Sequence, residues 1–206
     1  EALGESVAVL KPQSAFFERH GSRGVAVLER VIADTHECGG LVLTDAKRGE
    51  MVVDFCAGAG GKTLALGAAM KNTGRLYAFD VSGHRLDALK PRLARSGLSN
   101  VYPIQIAHER DDRIKRLAGK IDRVLIDAPC SGLGTLRRNP DLKWRQSPQA
   151  ITELTVKQGA ILTSAARLLK PGGRLVYATC SLLAQENEAV CEAFSLAHPA
   201  FEKRDA

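Results

Sequence analysis

The sequence contains no long apolar run. None of its 206 residues lies in a stretch approaching the roughly 20 apolar residues that a membrane-spanning helix needs. The opening residues EALGESVAVLKPQ also lack the basic and apolar regions of a secretory signal. We therefore expect one cytoplasmic, monomeric globular unit without membrane contact, and an apolar content of 45% is sufficient for its core.

Signatures of disulfides and of zinc are missing as well. The five cysteines form an odd number, include no CxxC pair and show no Cys/His spacing typical of zinc. We expect neither disulfides nor a bound metal. The net charge of +6 is a modest excess that favours a polyanionic partner such as a nucleic acid, although charge alone specifies no sequence.

Short β-rich runs alternate with helical segments from Glu50 onward, which is typical of βαβ units around a parallel sheet. We expect the Pro-Gly-Gly run at 171–173 to end the longest helix, and 199–201 is a candidate start for a sixth strand. Before this region only 25–32 looks helical. The pattern predicts strands at 51–55, 75–79, 101–106, 123–128 and 174–179, and helices at 62–70, 84–95, 149–169 and 185–197.

A glycine-rich turn follows the first predicted strand, in the segment VVDFCAGAGGKT. Glycines there let the backbone approach a ligand, and the next helix presents N–H groups to it. Asp80 stands at the end of the second strand, about 20 residues on, where an acid accepts hydrogen bonds from ribose hydroxyls. A strict phosphate-loop match fails because Cys56 occupies the first glycine position. The turn therefore predicts a nucleoside-bearing cofactor, and tight packing without a ligand is the alternative.

Two cysteines occupy the ends of neighbouring predicted strands. Cys130 lies in DAPCSG after the fourth strand and Cys180 in ATCS after the fifth, so both belong to the carboxyl edge, where parallel sheets bind ligands. The other three, Cys38, Cys56 and Cys191, are interpreted as small buried hydrophobic residues.

A strand-end thiol suits methylation of a pyrimidine carbon. Carbon 5 of cytosine becomes nucleophilic only when a thiolate adds at carbon 6, and the proton on carbon 5 must later be removed by a second group. Asp127 is placed to bond the cytosine ring or amine, or else to cap a turn. Lys62 contacts the base or the cofactor, or is only a solvated lysine at a helix start.

A basic loop with one aromatic residue follows Cys130, in LRRNPDLKWRQ. Such a loop can hold phosphates and stack on a base, and the alternative is a solvated loop with Trp144 packed in the core. A thiolate reaches carbon 6 only in a flipped cytosine. The candidate RNA-binding residues are Arg137, Arg138, Lys143, Trp144 and Arg145.

Three stretches, DFCAGAGGKT, DAPCSGLGTLRRNPDLKWR and LKPGGRLVYATCSLLAQEN, resemble the Nop/Sun family of RNA cytosine-5 methyltransferases, in particular members that modify small-subunit ribosomal RNA. The resemblance implies a Rossmann-like class I S-adenosylmethionine-dependent methyltransferase domain at 47–206, with ribosomal RNA as partner. It implies Cys180 as nucleophile, Cys130 as the helper in product release and Asp127 beside cofactor and base. The implied cofactor-binding residues are Cys56, Ala57, Gly58, Ala59, Gly60, Gly61 and Lys62, with Asp80 on the ribose and Arg85 nearby.

The sequence departs from the family pattern at three places. Ala107 stands where an Asp near the adenine is usual, so Glu109 and Asp111 are candidates to replace it. IADTHECGG stands in place of a QDxxSQ-like signature, and we assign no site to 1–46. The RNA-binding N-terminal domain and the closing strands of the family's sheet are not expected in this segment.

Two other function classes compete with this interpretation. A DNA cytosine-5 methyltransferase would use the cysteine of a pair such as Pro129–Cys130, but it has no need of a second thiol at the fifth strand. A cytosine-5 methyltransferase acting on transfer RNA is a related possibility. A non-catalytic RNA-binding or assembly module could keep the fold, and the presence of both Cys130 and Cys180 argues against it.

Overall fold

A computed structural model describes residues 9–10, 23, 41–42 and 46–203 of the protein. Two short strands, β1 (Val9–Leu10) and β2 (Leu41–Val42), pair in parallel. The helix predicted at 25–32, Cys38 and the segment IADTHECGG lie outside the described residues.

The main sheet has five parallel strands in the order β5-β4-β3-β6-β7. Because the order reverses between β3 and β6, a crevice forms at their carboxyl ends, where open α/β sheets bind ligands. The predicted parallel α/β fold is confirmed. The strands are β3 (Met51–Asp54), β4 (Arg75–Asp80), β5 (Val101–Gln105), β6 (Ile121–Asp127) and β7 (Leu169–Ala178).

Apolar side chains alternate between the two faces of this sheet, so each face carries its own core. On β3, Val53 belongs to the cluster that includes Ile161 of the long helix, whereas Val52 belongs to the cluster of Leu66 and Leu76 on the opposite face. Burial of each such side chain contributes roughly 1.5–3 kcal/mol. The helices are α1 (Gly61–Ala69), α2 (Gly83–Ser96), α3 (Asp112–Lys115), α4 (Leu142–Arg145), α5 (Pro148–Ala166) and α6 (Glu188–Ala197).

The boundary between α5 and β7 differs from the prediction. The helix ends at Ala166 and β7 begins at Leu169, so the Pro-Gly-Gly run lies inside the strand rather than at the helix end. The register shifts beside it, between Ile121 and Arg123, and Gly172 has a φ of 77°. Pro171 is tolerated because proline without an N–H fits edge strands and bulges.

The other elements surround this sheet without extending it. Residues 199–203 contain no strand, and the candidate sixth strand is wrong at this position: the Phe201 ring instead packs 5.3 Å from the ring of Phe194. No helix in the described part of the chain combines the length and the apolar character needed to span a bilayer.

Candidate active site

The glycine-rich loop connects β3 to α1 at the crevice. Gly58 and Gly60 have φ values of 56° and 85°, a left-handed conformation that glycine adopts without strain. Gly60 is the N-cap of α1, and a Cβ atom on it would lie 2.1 Å from Leu89 Cδ1. Glycine is therefore required at 60 both for the turn and for the packing of α2 against it.

Asp80 ends β4 and faces this loop. Its buried carboxylate accepts hydrogen bonds from the N–H of Gly58 (2.8 Å) and the N–H of Ser82 (2.7 Å). The predicted ribose acceptor thus also holds the glycine-rich loop in place. Arg85 lies exposed in the first turn of α2.

Asp54, which the sequence interpretation missed, is the last residue of β3. The residue is 1% exposed; Oδ2 accepts a 2.7 Å hydrogen bond from Thr63 Oγ1, while Oδ1 has no partner. Burial raises its pKa to about 6. An acid inside the apolar run VVDF could have been noticed, because a charge in a central strand is costly unless a ligand compensates it.

Asp111 organises the backbone that follows β5, next to Ala107. Its carboxylate accepts hydrogen bonds from the N–H of Ala107 and from the N–H of Arg113, both at 2.9 Å. The bond from Arg113 caps α3. These backbone bonds lower its pKa. Glu109, the other candidate, lies 3.7 Å from Arg110 in an ion pair. Asp111 is therefore held directly against the strand end where the family acid is usual.

The two predicted reactive cysteines meet at the carboxyl edge. Cys130 Sγ and Cys180 Sγ are 3.3 Å apart; Cys180 is exposed and Cys130 is half-buried. Burial, followed by the hydrogen bond with Cys180, raises the pKa of Cys130 to about 11. Cys130 therefore carries a proton at neutral pH, and the exposed Cys180 is the more accessible thiol.

The remaining described cysteines lie elsewhere. Cys56 packs against the core beside Phe55 and Phe79, and its pKa is raised chiefly by burial. This confirms its interpretation as a small hydrophobic residue. Cys191, on α6, is half-buried with a raised pKa, also chiefly from burial.

Lys62 and Asp127 form an ion pair across the crevice. Lys62 lies in the first turn of α1 and Asp127 is the last residue of β6, and their side chains are only 25% and 30% exposed. The alternative in which Lys62 is only a solvated lysine at a helix start is therefore wrong. The structure brings this pair to the same sheet edge as Cys130, three residues beyond Asp127.

The basic loop after Cys130 is open to solvent. Trp144 in α4 is 81% exposed, so the alternative that packs it in the core is wrong. Lys143 Nζ lies 4.9 Å from the centre of its ring, and Arg145 pairs with Asp141 at 2.8 Å. Two further cations of the loop, Arg137 and Arg138, are also exposed.

Among residues 46–203, no group of three histidine, cysteine or acidic side chains is arranged to hold a metal ion.

The strand order, the glycine-rich loop after β3 and the acid after β4 define the Rossmann-like fold of S-adenosylmethionine-dependent methyltransferases. A family model described as 16S rRNA methyltransferase RsmB/F matches residues 41–206. The chain belongs to this family, as its resemblance to the Nop/Sun methyltransferases predicted, and the family's cofactor is S-adenosylmethionine.

Curated relatives agree with this family. The Synechocystis sp. protein named "Probable ribosomal RNA small subunit methyltransferase B" is 44% identical over 149 residues, which cover 72% of this chain and 33% of the relative. The Sodalis glossinidius protein named "Ribosomal RNA small subunit methyltransferase B" is 38% identical over 168 residues, covering 82% and 38%. The chain thus spans about a third of the length of the curated relatives it matches.

Solved structures share the architecture. NSun6 from Pyrococcus horikoshii, solved with the S-adenosylmethionine analogue SFG, matches with a TM-score of 0.68 and 28% identity, over 84% of this chain and 40% of that one. A methyltransferase homolog protein from the same organism matches with a TM-score of 0.64 and 38% identity, over 75% and 47%.

Proposed function

We propose that this protein methylates carbon 5 of a cytosine in small-subunit (16S) ribosomal RNA through a covalent bond between Cys180 and the base. The observation that carries the proposal is the 3.3 Å contact between Cys130 Sγ and Cys180 Sγ at the sheet edge that also carries the Lys62–Asp127 pair. Cytosine methylation needs a nucleophile, a stabiliser of the activated ring and a later base, and these four residues supply those groups.

The residues of the crevice fit S-adenosylmethionine. This cofactor supplies an electrophilic methyl group when it is bound. The backbone of 56–62 would face its nucleoside and Asp80 its ribose. The unpartnered Oδ1 of buried Asp54 suits a cationic group, because a buried carboxylate oxygen without a hydrogen bond is stabilised by a positive partner.

Cys180 begins the reaction on the base. Its thiolate forms a bond to carbon 6, and the π electron pair between carbons 5 and 6 shifts onto carbon 5 and the ring nitrogen conjugated with it, which makes carbon 5 nucleophilic. Addition at carbon 6 raises the electron density on the ring nitrogen, which takes up a proton. Asp127 would accept a hydrogen bond from this N–H or from the amine, and Lys62 holds its carboxylate in place. After methylation, a base removes the proton of carbon 5 while the bond between carbon 6 and sulfur breaks.

Cys130 is suited to that second stage. Part of its raised pKa comes from the hydrogen bond and the charge of Cys180. Burial is the main cause of the raised pKa, but the two contributions from Cys180 would be lost once its sulfur is bonded to the base. The pair thus favours a sequential use of the two thiols.

The basic loop would hold the RNA beside these thiols. Trp144 offers an exposed ring for stacking, and the neighbouring cations can neutralise phosphates. Gln146 Nε2 donates a 2.8 Å hydrogen bond to the carbonyl of Ser131, which ties the loop to the segment that follows Cys130.

The test is transfer of labelled methyl groups from S-adenosylmethionine to 16S ribosomal RNA. Cys180→Ala should abolish transfer, because the ring is no longer activated. Cys191→Ala is the matched control, since it removes a half-buried thiol of α6 outside the pair and should retain transfer. Transfer by Cys180→Ala at the rate of this control would refute the proposal.

A further inference from the structure

A buried carboxylate lies behind the thiol pair. Glu186, at the end of the 3-10 turn Ala184–Glu186, has an exposed fraction of 0%. Its Oε1 accepts hydrogen bonds from the N–H of Ser131 (2.8 Å) and from Gln158 Nε2 (3.0 Å), and its Oε2 accepts the hydroxyl of Ser131. Ser131 directly follows Cys130, so Glu186 anchors the Cys130 loop.

The next residue anchors the other cysteine. Asn187 Nδ2 donates to the carbonyls of Ser181 (3.2 Å) and Leu183 (2.9 Å), and its Oδ1 accepts from Thr179 Oγ1 (2.5 Å). These three partners lie on both sides of Cys180. Two consecutive side chains therefore hold the two cysteine loops, one each.

The two loops also contact each other directly. Ser131 Oγ and Ser181 Oγ, each following a cysteine, are 3.1 Å apart. The N–H of Gly134 donates to the carbonyl of Cys180 at 2.9 Å, and a Cβ at Gly134 would lie 2.6 Å from that oxygen. The loops are thus docked at a distance that leaves no room for a side chain between them.

The charge on Glu186 is maintained by these contacts. Burial raises its pKa, but the hydrogen bonds from Ser131, Ser181 and Gln158 outweigh burial, and the net pKa lies below its ordinary value. A buried charge is weak support for stability, because apolar residues of similar volume often serve as well. An apolar residue at 186, however, could not accept the N–H of Ser131 and so could not fix the orientation of the Cys130 loop.

We propose that Glu186 and Asn187 are positioning residues that set the distance between Cys130 Sγ and Cys180 Sγ. The inference rests on the proposed function only for its catalytic consequence. The geometric consequence, the proximity of two thiols, is measurable without RNA.

The first readout is disulfide formation by diamide, which oxidises the two thiols to one disulfide and is itself reduced to the hydrazine. Its rate depends on how often the sulfurs approach the bonding distance of about 2.05 Å, and loosened loops lower their effective concentration. The second readout is kcat and KM for methyl transfer. The test variants are Glu186→Ala and Asn187→Ala, and Glu186→Gln is the conservative variant. The control is Glu188→Ala, which removes an exposed carboxylate nearby.

We expect Glu186→Ala and Asn187→Ala to slow disulfide formation and lower kcat by at least tenfold, while affinity for S-adenosylmethionine, bound at β3 and β4, changes less than twofold. Glu186→Gln keeps one acceptor oxygen and should fall between them and the control. If Glu186→Ala does not fold, as judged by thermal unfolding, Asn187→Ala and Glu186→Gln decide. Folded variants that match Glu188→Ala in both readouts would overturn the inference. A different result is that the variants form the disulfide slowly but no protein, wild type included, transfers methyl groups. This would refute the proposed function and leave the positioning role standing.

Discussion

Asp54 allows a quantitative test, because its environment makes folding depend on pH. Burial raises its pKa from 3.8 to about 6, a difference worth about 3 kcal/mol at 1.36 kcal/mol per unit. Since the folded pKa is the higher one, the contribution to stability is fully present below about pH 3.9 and is lost as the pH rises through about 6. The charged carboxylate therefore destabilises the cofactor-free fold above that range.

Asp54→Asn removes this dependence. The new amide leaves a donor without a partner, which costs roughly 1–3 kcal/mol at every pH. The informative quantity is therefore the difference in unfolding free energy between variant and wild type, which should shift by about 2.5 kcal/mol in favour of the variant between pH 4 and pH 8, because the unfolded carboxyl is already partly ionised at pH 4. Urea unfolding at both pH values measures it, with the exposed Glu188→Gln as control.

The same substitution should weaken S-adenosylmethionine binding by at least about tenfold in calorimetric titration, since a hydrogen bond to a charged group contributes roughly 1.5–3 kcal/mol. A pH-independent difference between Asp54→Asn and wild type would show that the carboxylate titrates normally in the fold. Unchanged affinity would show that its free oxygen does not face the cofactor.

Three further predictions concern the ligands. Asp80→Ala should weaken S-adenosylmethionine binding by more than about tenfold in calorimetry, because it removes a ribose acceptor and frees the loop at Gly58; unchanged affinity would contradict the assignment. Neutralising one cation of the basic loop, Arg137, Arg138 or Lys143, should weaken RNA binding and reduce its salt dependence by about one counterion; a wild-type salt slope would indicate a solvated surface. Cys130→Ala should accumulate protein bonded to methylated RNA, visible as a slow band on denaturing gels, whereas Cys180→Ala should not. The reverse pattern would identify Cys130 as the attacking thiol.

The strand pattern and the site edge were predictable from sequence because both depend on local signals. Apolar runs flanked by turn residues predicted the five strands of the main sheet, and cysteines close after the ends of two of them predicted the thiol pair, whereas the two-residue strands β1 and β2 were not predicted. The four-residue helices α3 and α4 were missed because they are too short to show a 3.6-residue period. The start of β7 was misplaced because the Pro-Gly-Gly run is also typical of a helix end, and only pairing with β6 distinguishes the two.

Residues whose roles depend on distant partners could not be found in this way. Glu186 lies in a polar segment, SLLAQENE, where a glutamate is expected to be solvated; its burial follows from Ser131 and Gln158, which are 55 and 28 residues away in sequence. The Lys62–Asp127 pair likewise joins residues 65 positions apart. For Trp144 the sequence left two alternatives, stacking on a base or packing in the core, because a single aromatic residue in a basic segment does not show which side is buried; the structure leaves it 81% exposed.

The pairing of β6 with β7 also determines when the site comes into existence during folding. Cys130 and Cys180 are 50 residues apart in sequence and are brought together by these two parallel strands, which are joined through the long helix α5. Parallel pairing of this kind is a non-local event that forms slowly, because the loop must close before its contacts can form. A chain in which β7 has not yet paired carries two separate thiols and no reactive pair. The thiol pair therefore exists only where β7 is paired with β6, and neither cysteine loop can form it alone.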